Sequence, residues 1–240
     1  MRETARRVLH AVGPLHRALG RYRGSLIHTA DCTVPGAVHL GTGYGGWTVI
    51  PRLIDSRATV YSVGVGNDIS FDLAMIERFG CEVHAFDPTP MACAWIERQA
   101  TPASHHFHAI GLSDTDEEVG FAAPLQEGWD SFSLPEAGSN EPLTMCPVRR
   151  LETIMTQLGH SHIDVLKMDI EGFEYGVIDN VLAGPVRPGQ WLIEFHHNMM
   201  HFSHAQTRRA VDQLKAAGYV LFKVSNVGHE YSFVQRALLV

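Results

Sequence analysis

Basic residues are scarce in this chain, and long apolar runs are absent. Its 240 residues include 19 Lys and Arg against 26 Asp and Glu, a formal net charge of -7. A general nucleic-acid binder normally shows a basic footprint, so this balance argues against one. No apolar run approaches the roughly 18 residues of a membrane span. The N-terminus lacks the apolar core of a signal peptide. Cysteine is limited to Cys32, Cys81, Cys93 and Cys146. They are scattered, without CxxC spacing, and so read as reduced thiols rather than a disulfide framework. These absences predict a cytoplasmic protein with no membrane span and no nucleic-acid partner.

What is present is enough apolar residue, 45%, for one sizeable α/β core. Residues 1–50 read as an N-terminal helical and loop cap. Its basic first segment carries Val8, Leu9, Val12, Leu15 and Leu19 at roughly helical spacing, interrupted near Pro14. The Gly-rich stretch 35–52 reads as a loop with a short strand, in which Tyr44 and Trp47 are candidates to line a pocket. Residues 51–240 read as one domain. Strands are predicted at 60–63, 82–86, 106–112, 163–170 and 191–195, and helices at 69–79, 89–98, 151–158, 171–182 and 205–217. Residues 121–142 read as an irregular excursion with short strands. Two closing strands, 219–224 and 231–234, form a hairpin. Such alternation implies a mostly parallel, doubly wound sheet with helices on both faces.

The most informative segment is Ile163 to Glu174, IDVLKMDIEGFE. An apolar strand carries Lys167 inside it and ends in Asp169, Glu171 and Glu174. Buried charge is costly unless it is paired, hydrogen-bonded, metal-bound or solvated in a cleft. In open α/β sheets the carboxyl ends of strands are where ligands bind. Lys167 also has a plain structural reading, an ion pair to a neighbouring acid. Glu174 falls one turn into the following helix and reads as a first-turn acid favoured by the helix dipole.

The first strand runs into the turn GVGND. Gly64, Val65 and Gly66 allow the backbone to turn tightly and approach a ligand. Asp87 closes the second strand, where an acid accepts ribose hydroxyls. The dinucleotide fingerprint wants a third glycine at position 69, which is Ile69. That weakens an NAD(P) oxidoreductase reading without removing it.

The segments VYSVGVGNDISFD, EVHAFDPTP, VRRLETIMTQLG, IDVLKMDIEGFEYGVI and LIEFHH together resemble the FkbM family of S-adenosylmethionine-dependent methyltransferases. The resemblance covers roughly residues 40 to 235; the LKMDIEG element is specific to the family and the glycine turn is not. It implies a class I methyltransferase fold of seven strands with the last antiparallel, and O-methylation of a hydroxyl on a sugar, polyketide or other natural product. Gly64, Gly66 and the turn around Asp68 would then hold the methionine end of the cofactor. Asp87 would hold the ribose, and Phe86, Pro88, Gly111 and Leu112 would flank the adenine. Many class I enzymes carry an acid two residues before the first glycine. Here that position is Ser62, leaving Asp68 or Asp169 to meet the cofactor amino group.

Alternate residues of a strand share a face. Asp169 and Glu171 therefore accompany Lys167, and Glu194 accompanies His196, with His197 pointing away. If their strands are neighbours, Asp169, Glu171, Glu194 and His196 converge beside the cofactor. A hydroxyl acceptor must lose its proton to a general base or to a metal-lowered pKa. Histidine is the natural base near neutral pH, and Asp169, Glu194 and His196 also suit Mg²⁺ or Mn²⁺. Base catalysis, metal assistance and a purely structural cluster all remain open, as does a methyltransferase-like binding protein without turnover. His105, His106 and His108 read as surface or satisfied histidines, only two of which share a face. His201, His204, Met199 and Met200 are candidates for an acceptor rim or for filler.

Overall fold

In the computed structural model, residues 28–122, 142–197 and 202–239 are described. The expected basic helix before residue 25, most of the excursion 121–142, and Met199, Met200 and His201 lie outside them.

After an N-terminal hairpin, β1 (Val38–Leu40) and β2 (Trp47–Val49), the strand–helix rhythm begins. It runs β3 (Thr59–Val63), α1 (Ser70–Phe79), β4 (Glu82–Phe86), α2 (Pro90–Ile96) and β5 (His105–His108). Next come β6 (Gly111–Leu112), β7 (Glu117–Ala122), β8 (Leu143–Arg149), α3 (Leu151–Leu158), β9 (Val165–Met168), α4 (Glu174–Ala183) and β10 (Gln190–Glu194). The chain closes with α5 (His204–Ala216), β11 (Tyr219–Val224) and β12 (Glu230–Gln235). Thr89 caps α2 as expected, its side chain accepting from the Ala92 N–H with Pro90 in the first turn.

The main sheet has seven strands in the order β11-β12-β10-β9-β3-β4-β5. β3, β4, β5, β9 and β10 run parallel, and β12 inserts antiparallel between β10 and β11. Period-two alternation divides the side chains between two layers. Tyr61, Val63, Leu166, Met168, Trp191 and Ile193 face α3, α4 and α5 through Leu151, Ile154, Val177, Ile178, Val211 and Leu214. Val60, Val83, Val165 and Leu192 face α1 and the hairpin through Phe71, Met75, Trp47 and Val49.

One predicted strand divides. Residues 106–112 were expected as a single element. The Ile110 N–H instead donates back to the His108 carbonyl at 2.8 Å, and that tight turn ends β5. Gly111 and Leu112 then pair with β8 in a separate sheet of order β6-β8-β7. Val119, Phe121, Cys146 and Val148 supply its apolar side, joined by Phe173.

The parallel register aligns the strand ends. Val63 pairs with Phe86 on one side and with Met168 on the other, and Met168 pairs with Ile193. Gly64, Asp87 and Asp169 therefore leave the sheet together. The chain's winding reverses between β3 and β9, the position where doubly wound sheets open a ligand crevice.

Candidate active site

A cleft of about 290 Å³ opens at these strand ends. Its lining includes Gly64, Val65, Gly66, Asp68, Phe86, Asp87, Pro88, Gly111 and Leu112, and also Asp169, Glu171, Glu194 and His196. The residues expected at the cofactor and acid–histidine sites thus border one cavity.

Gly64 has φ +82, and an added Cβ would meet the Asp169 carbonyl oxygen at 1.7 Å. Only glycine allows β3 and β9 to come this close while the chain turns. The Gly64 carbonyl accepts the Lys167 ammonium. Lys167, almost wholly buried, also lies 5.9 Å from the Trp47 ring centroid. The expected ion pair of Lys167 is not formed among the described residues: the turn carbonyl and an aromatic face take its place.

Asp87 ties the turn from the other side. Its Oδ2 accepts the Val65 and Gly66 N–H groups at 3.1 and 3.0 Å. Its Oδ1 accepts the Thr89 N–H at 2.9 Å and the Thr89 hydroxyl at 2.6 Å. All four lone-pair positions of the carboxylate are used, and of the four donors the Thr89 hydroxyl is the freest to rotate away. Asp68 accepts the Thr42 hydroxyl at 2.8 Å and the Ser70 N–H at 2.7 Å. Burial works against its charge, but the Ser70 and Thr42 bonds and the Lys167 charge hold its carboxyl below the usual range. Ser62 is buried in β3. Gly111 lets the Pro88 and Val148 side chains close around it; an added Cβ would stand 3.0 Å from Pro88 Cγ.

The other half of the cleft is built around His196. The ring is buried. Its Nδ1 lies 2.7 Å from Glu174 Oε1, and its Nε2 lies 3.4 Å from Glu171 Oε2 and 3.6 Å from Asp169 Oδ1. Desolvation disfavours the imidazolium, but the Glu174 charge and hydrogen bond, then Glu171 and Asp169, outweigh it and push the pKa up to about 10. That field favours the imidazolium, with Nδ1 hydrogen-bonded to Glu174 and Nε2 facing the Glu171 and Asp169 carboxylates. Glu174 is a first-turn acid as expected, though at the first residue of α4 rather than one turn in, and it is fully buried and accepts from the Ile170 and Gly172 N–H groups as well as His196. It belongs with the cluster. Sequence distance concealed it, because the sharp turn at Glu171 and Gly172 folds the helix start back under the strand end. Glu171 holds that turn with φ 49, the left-handed region where a non-glycine residue is strained.

Glu194 lies directly across from Glu230 on β12. Burial first, then the Asp169 charge, drive its carboxyl well above the ordinary carboxylate range, against the opposing pull of His196. Glu230, which also lines the cleft, has a buried Oε2 without a hydrogen-bond partner. Nothing in its surroundings along the sequence singled it out; the antiparallel insertion of β12 brings it in. Phe121, Val148 and Phe173 complete an apolar wall that the sequence did not indicate, while Tyr44 and Trp47 line the opening. Asp169, Glu171 and His196 each offer a ligand atom within 4.8 Å of the others. Glu194, expected in a metal set, is not one of the three. His197 turns away to Thr207, and His204 packs on it rather than lining the cleft.

The sheet order, the antiparallel seventh strand and the glycine turn facing an acid define a class I methyltransferase fold. The chain belongs to the FkbM methyltransferase family: the methyltransferase FkbM domain matches residues 58–221. It is 26% identical over 198 residues to probable methyltransferase-like protein 24 of Rattus norvegicus, covering 81% of this chain and 48% of the relative. The Homo sapiens counterpart is 29% identical over 148 residues, 60% of this chain and 34% of the relative. The chain thus spans about half or less of the curated relatives it matches. Methyltransferase FkbM from Methylobacillus flagellatus KT aligns over 75% of this chain and 44% of that chain, with 14% identity and a TM-score of 0.47.

Proposed function

We propose that the chain transfers a methyl group from S-adenosylmethionine to a hydroxyl of a small acceptor. The observation that carries this reading is one cleft joining a glycine turn and terminal acid on one side to a charged acid–histidine cluster on the other. The residues suit the cofactor. An added Cβ at Gly66 meets nothing within 4 Å, so the turn is open towards the cleft. Asp87 stands at the strand end where ribose hydroxyls are bound in such sheets. Gly64, Gly66 and Asp68 would hold the methionine end, Asp87 the ribose, and Phe86, Pro88, Gly111 and Leu112 the adenine. When bound, the cofactor supplies an electrophilic methyl carried on sulfonium.

The chain must then align the acceptor oxygen and remove its proton, since positioning meets much of such a barrier. The Glu194 carboxylate is our candidate base. Its raised pKa brings it towards the range in which a carboxylate both accepts a proton and is regenerated. The imidazolium of His196 acts as a positioning group, holding Asp169 and Glu171 with the charge that Glu174 fixes from behind. In this scheme Glu194 would take up the proton that the acceptor hydroxyl loses on methylation.

Isothermal titration with S-adenosylmethionine and with its demethylated product tests the cofactor assignment: both bind, and Asp87→Ala weakens both. Failure of the parent chain to bind either one overturns it; binding of NAD(H) instead selects the oxidoreductase reading. In an acceptor screen with bound cofactor, Glu194→Gln lowers turnover about 10²- to 10⁴-fold while changing cofactor affinity little. Binding without any methylated product would leave a non-catalytic binding protein. The Asp169, Glu171 and His196 constellation favours one second reading, in which His196 Nε2 gives up its proton to a Mg²⁺ or Mn²⁺ ion that lowers the acceptor pKa. Loss of turnover in EDTA, restored by either ion, selects it.

A further inference from the structure

A second cluster of polar groups lies away from the cleft, at the free edge of the main sheet. Among the described residues β5 is the end strand, paired only with β4, and the register sets His106 beside His84 and His108 beside Phe86. Alternation puts Glu82 and His84 on one face of β4, and His106 and His108 on the same face of β5. His105 points the other way, to a buried contact with Asp72 at 3.2 Å. His84 and His106 stack with ring centroids 4.9 Å apart, and His160, from the loop after α3, meets the His84 ring edge-on at 4.6 Å.

We propose that Glu82, His84 and His106 form a binding site for a divalent transition-metal ion such as Zn²⁺ or Ni²⁺, distinct from the cleft. The three residues each offer one ligand atom, all within 4.8 Å of one another. Ligand atoms around a tetrahedral zinc ion stand about 3.3 Å apart, given Zn–N near 2.0–2.1 Å. Half-exposed side chains close that difference by small rotations. Glu82 and the His106 side chain, 64% and 38% exposed, leave the site open to solvent. The donor set, two imidazoles and one carboxylate, suits the borderline ions over Mg²⁺ or Ca²⁺, which prefer all-oxygen surroundings.

The supporting contacts are those a metal site uses. His84 Nδ1 and His108 Nε2 lie 3.1 Å apart, so one ring must be neutral to accept the other's N–H. A ligating histidine characteristically donates its second nitrogen to an acceptor, which fixes its tautomer, and a neutral His108 would serve as that acceptor for His84. His160 is held in turn by the Tyr61 hydroxyl at 2.7 Å. None of the three ligands lines the cleft, but Phe86 does, and it stacks on His108 at 4.8 Å. The ion would thus staple the two edge strands and brace one cleft wall.

The test is titration of the full chain, stripped with EDTA and dialysed, with ZnCl₂ and NiCl₂. One equivalent binds and weakens at least about tenfold in the His84→Ala/His106→Ala double variant. It persists in Asp169→Asn/Glu171→Gln, which disables the cleft constellation. Glu82→Gln, an exposed change that leaves the imidazoles in place, lowers the same affinity and serves if the double variant does not fold. In crystals of the unaltered chain soaked in Zn²⁺, an anomalous peak lies among the three ligands. No binding by the unaltered chain, full affinity in the double variant, or an anomalous peak only elsewhere would each overturn the proposal.

Discussion

Gly64 and Gly66, two residues apart in one turn, carry different constraints. An alanine Cβ at 64 would overlap the Asp169 carbonyl, whereas at 66, with φ +52, it meets open space. Gly64→Ala should cost several kcal/mol and abolish soluble protein or depress Tm sharply. Gly66→Ala should cost only about 1 kcal/mol of folding stability while weakening S-adenosylmethionine binding. A thermal melt paired with a cofactor titration separates the two; equal losses of stability would contradict the geometry. The left-handed Glu171 is another strained point, worth roughly 1–3 kcal/mol. Glu171→Gly should leave Tm unchanged or slightly raised and lower turnover at saturating cofactor. A drop of many degrees in the melt would make this carboxylate structural. His196 sits among Glu174, Glu171 and Asp169, so His196→Ala leaves buried charge unpaired and should cost about 3–5 kcal/mol by denaturant titration. Gly64, Asp87, Asp169 and His196 were legible as cleft-lining residues because each lies within two residues of a strand's carboxyl end. The state of His196 was not, since its charge depends on Glu174, 22 positions away in the chain.

Strand β12 adds an acid to the site from outside the parallel strands. By inserting between β10 and β11 it sets Glu230 opposite Glu194, and like charges in that position destabilise a sheet. Glu230→Gln should therefore raise stability by about 0.2–1 kcal/mol. It should also move the acid limb of the rate profile to lower pH, because Glu230 is one of the charges that raise the Glu194 carboxyl. An unmoved limb with a raised Tm would remove Glu194 from the base role. The resemblance implied an antiparallel last strand, and β12 is one, but nothing local in Tyr219 to Val234 says which of its residues comes to stand opposite Glu194. The same holds where residues 106–112 split between two sheets, for a backbone hydrogen bond decides that break rather than side-chain pattern. Helices α1, α2 and α3 were legible because their apolar spacing, and for α1 and α2 the stop at Gly80 and the cap at Thr89, are local signals.

Across the whole molecule, buried histidines shape stability against pH. Burial pushes His84 and His197 down to about 4. The unfolded chain binds more protons there, so stability rises from about pH 4 to about pH 6.5. His196, raised to about 10, does the reverse: its contribution is complete below about pH 6.5 and is lost as pH climbs to about 10. Glu194, raised by burial, subtracts from the acid limb above its ordinary pKa. Tm should then fall between pH 7 and pH 10, and fall less in His196→Gln; equal slopes would mean that the ring is neutral in the folded chain. The sequence by itself determined the βα rhythm, the glycine turn, the acids at the strand ends and the family resemblance. These depend on periodicity, caps and motif spacing, which act over a few residues. Only the tertiary structure decided that Glu174 charges His196, that Glu230 faces Glu194, and that Glu82, His84 and His106 gather at one edge. Those contacts join residues distant in the chain through strand register and burial, and a proton's affinity for a side chain depends on that three-dimensional field rather than on sequence neighbours.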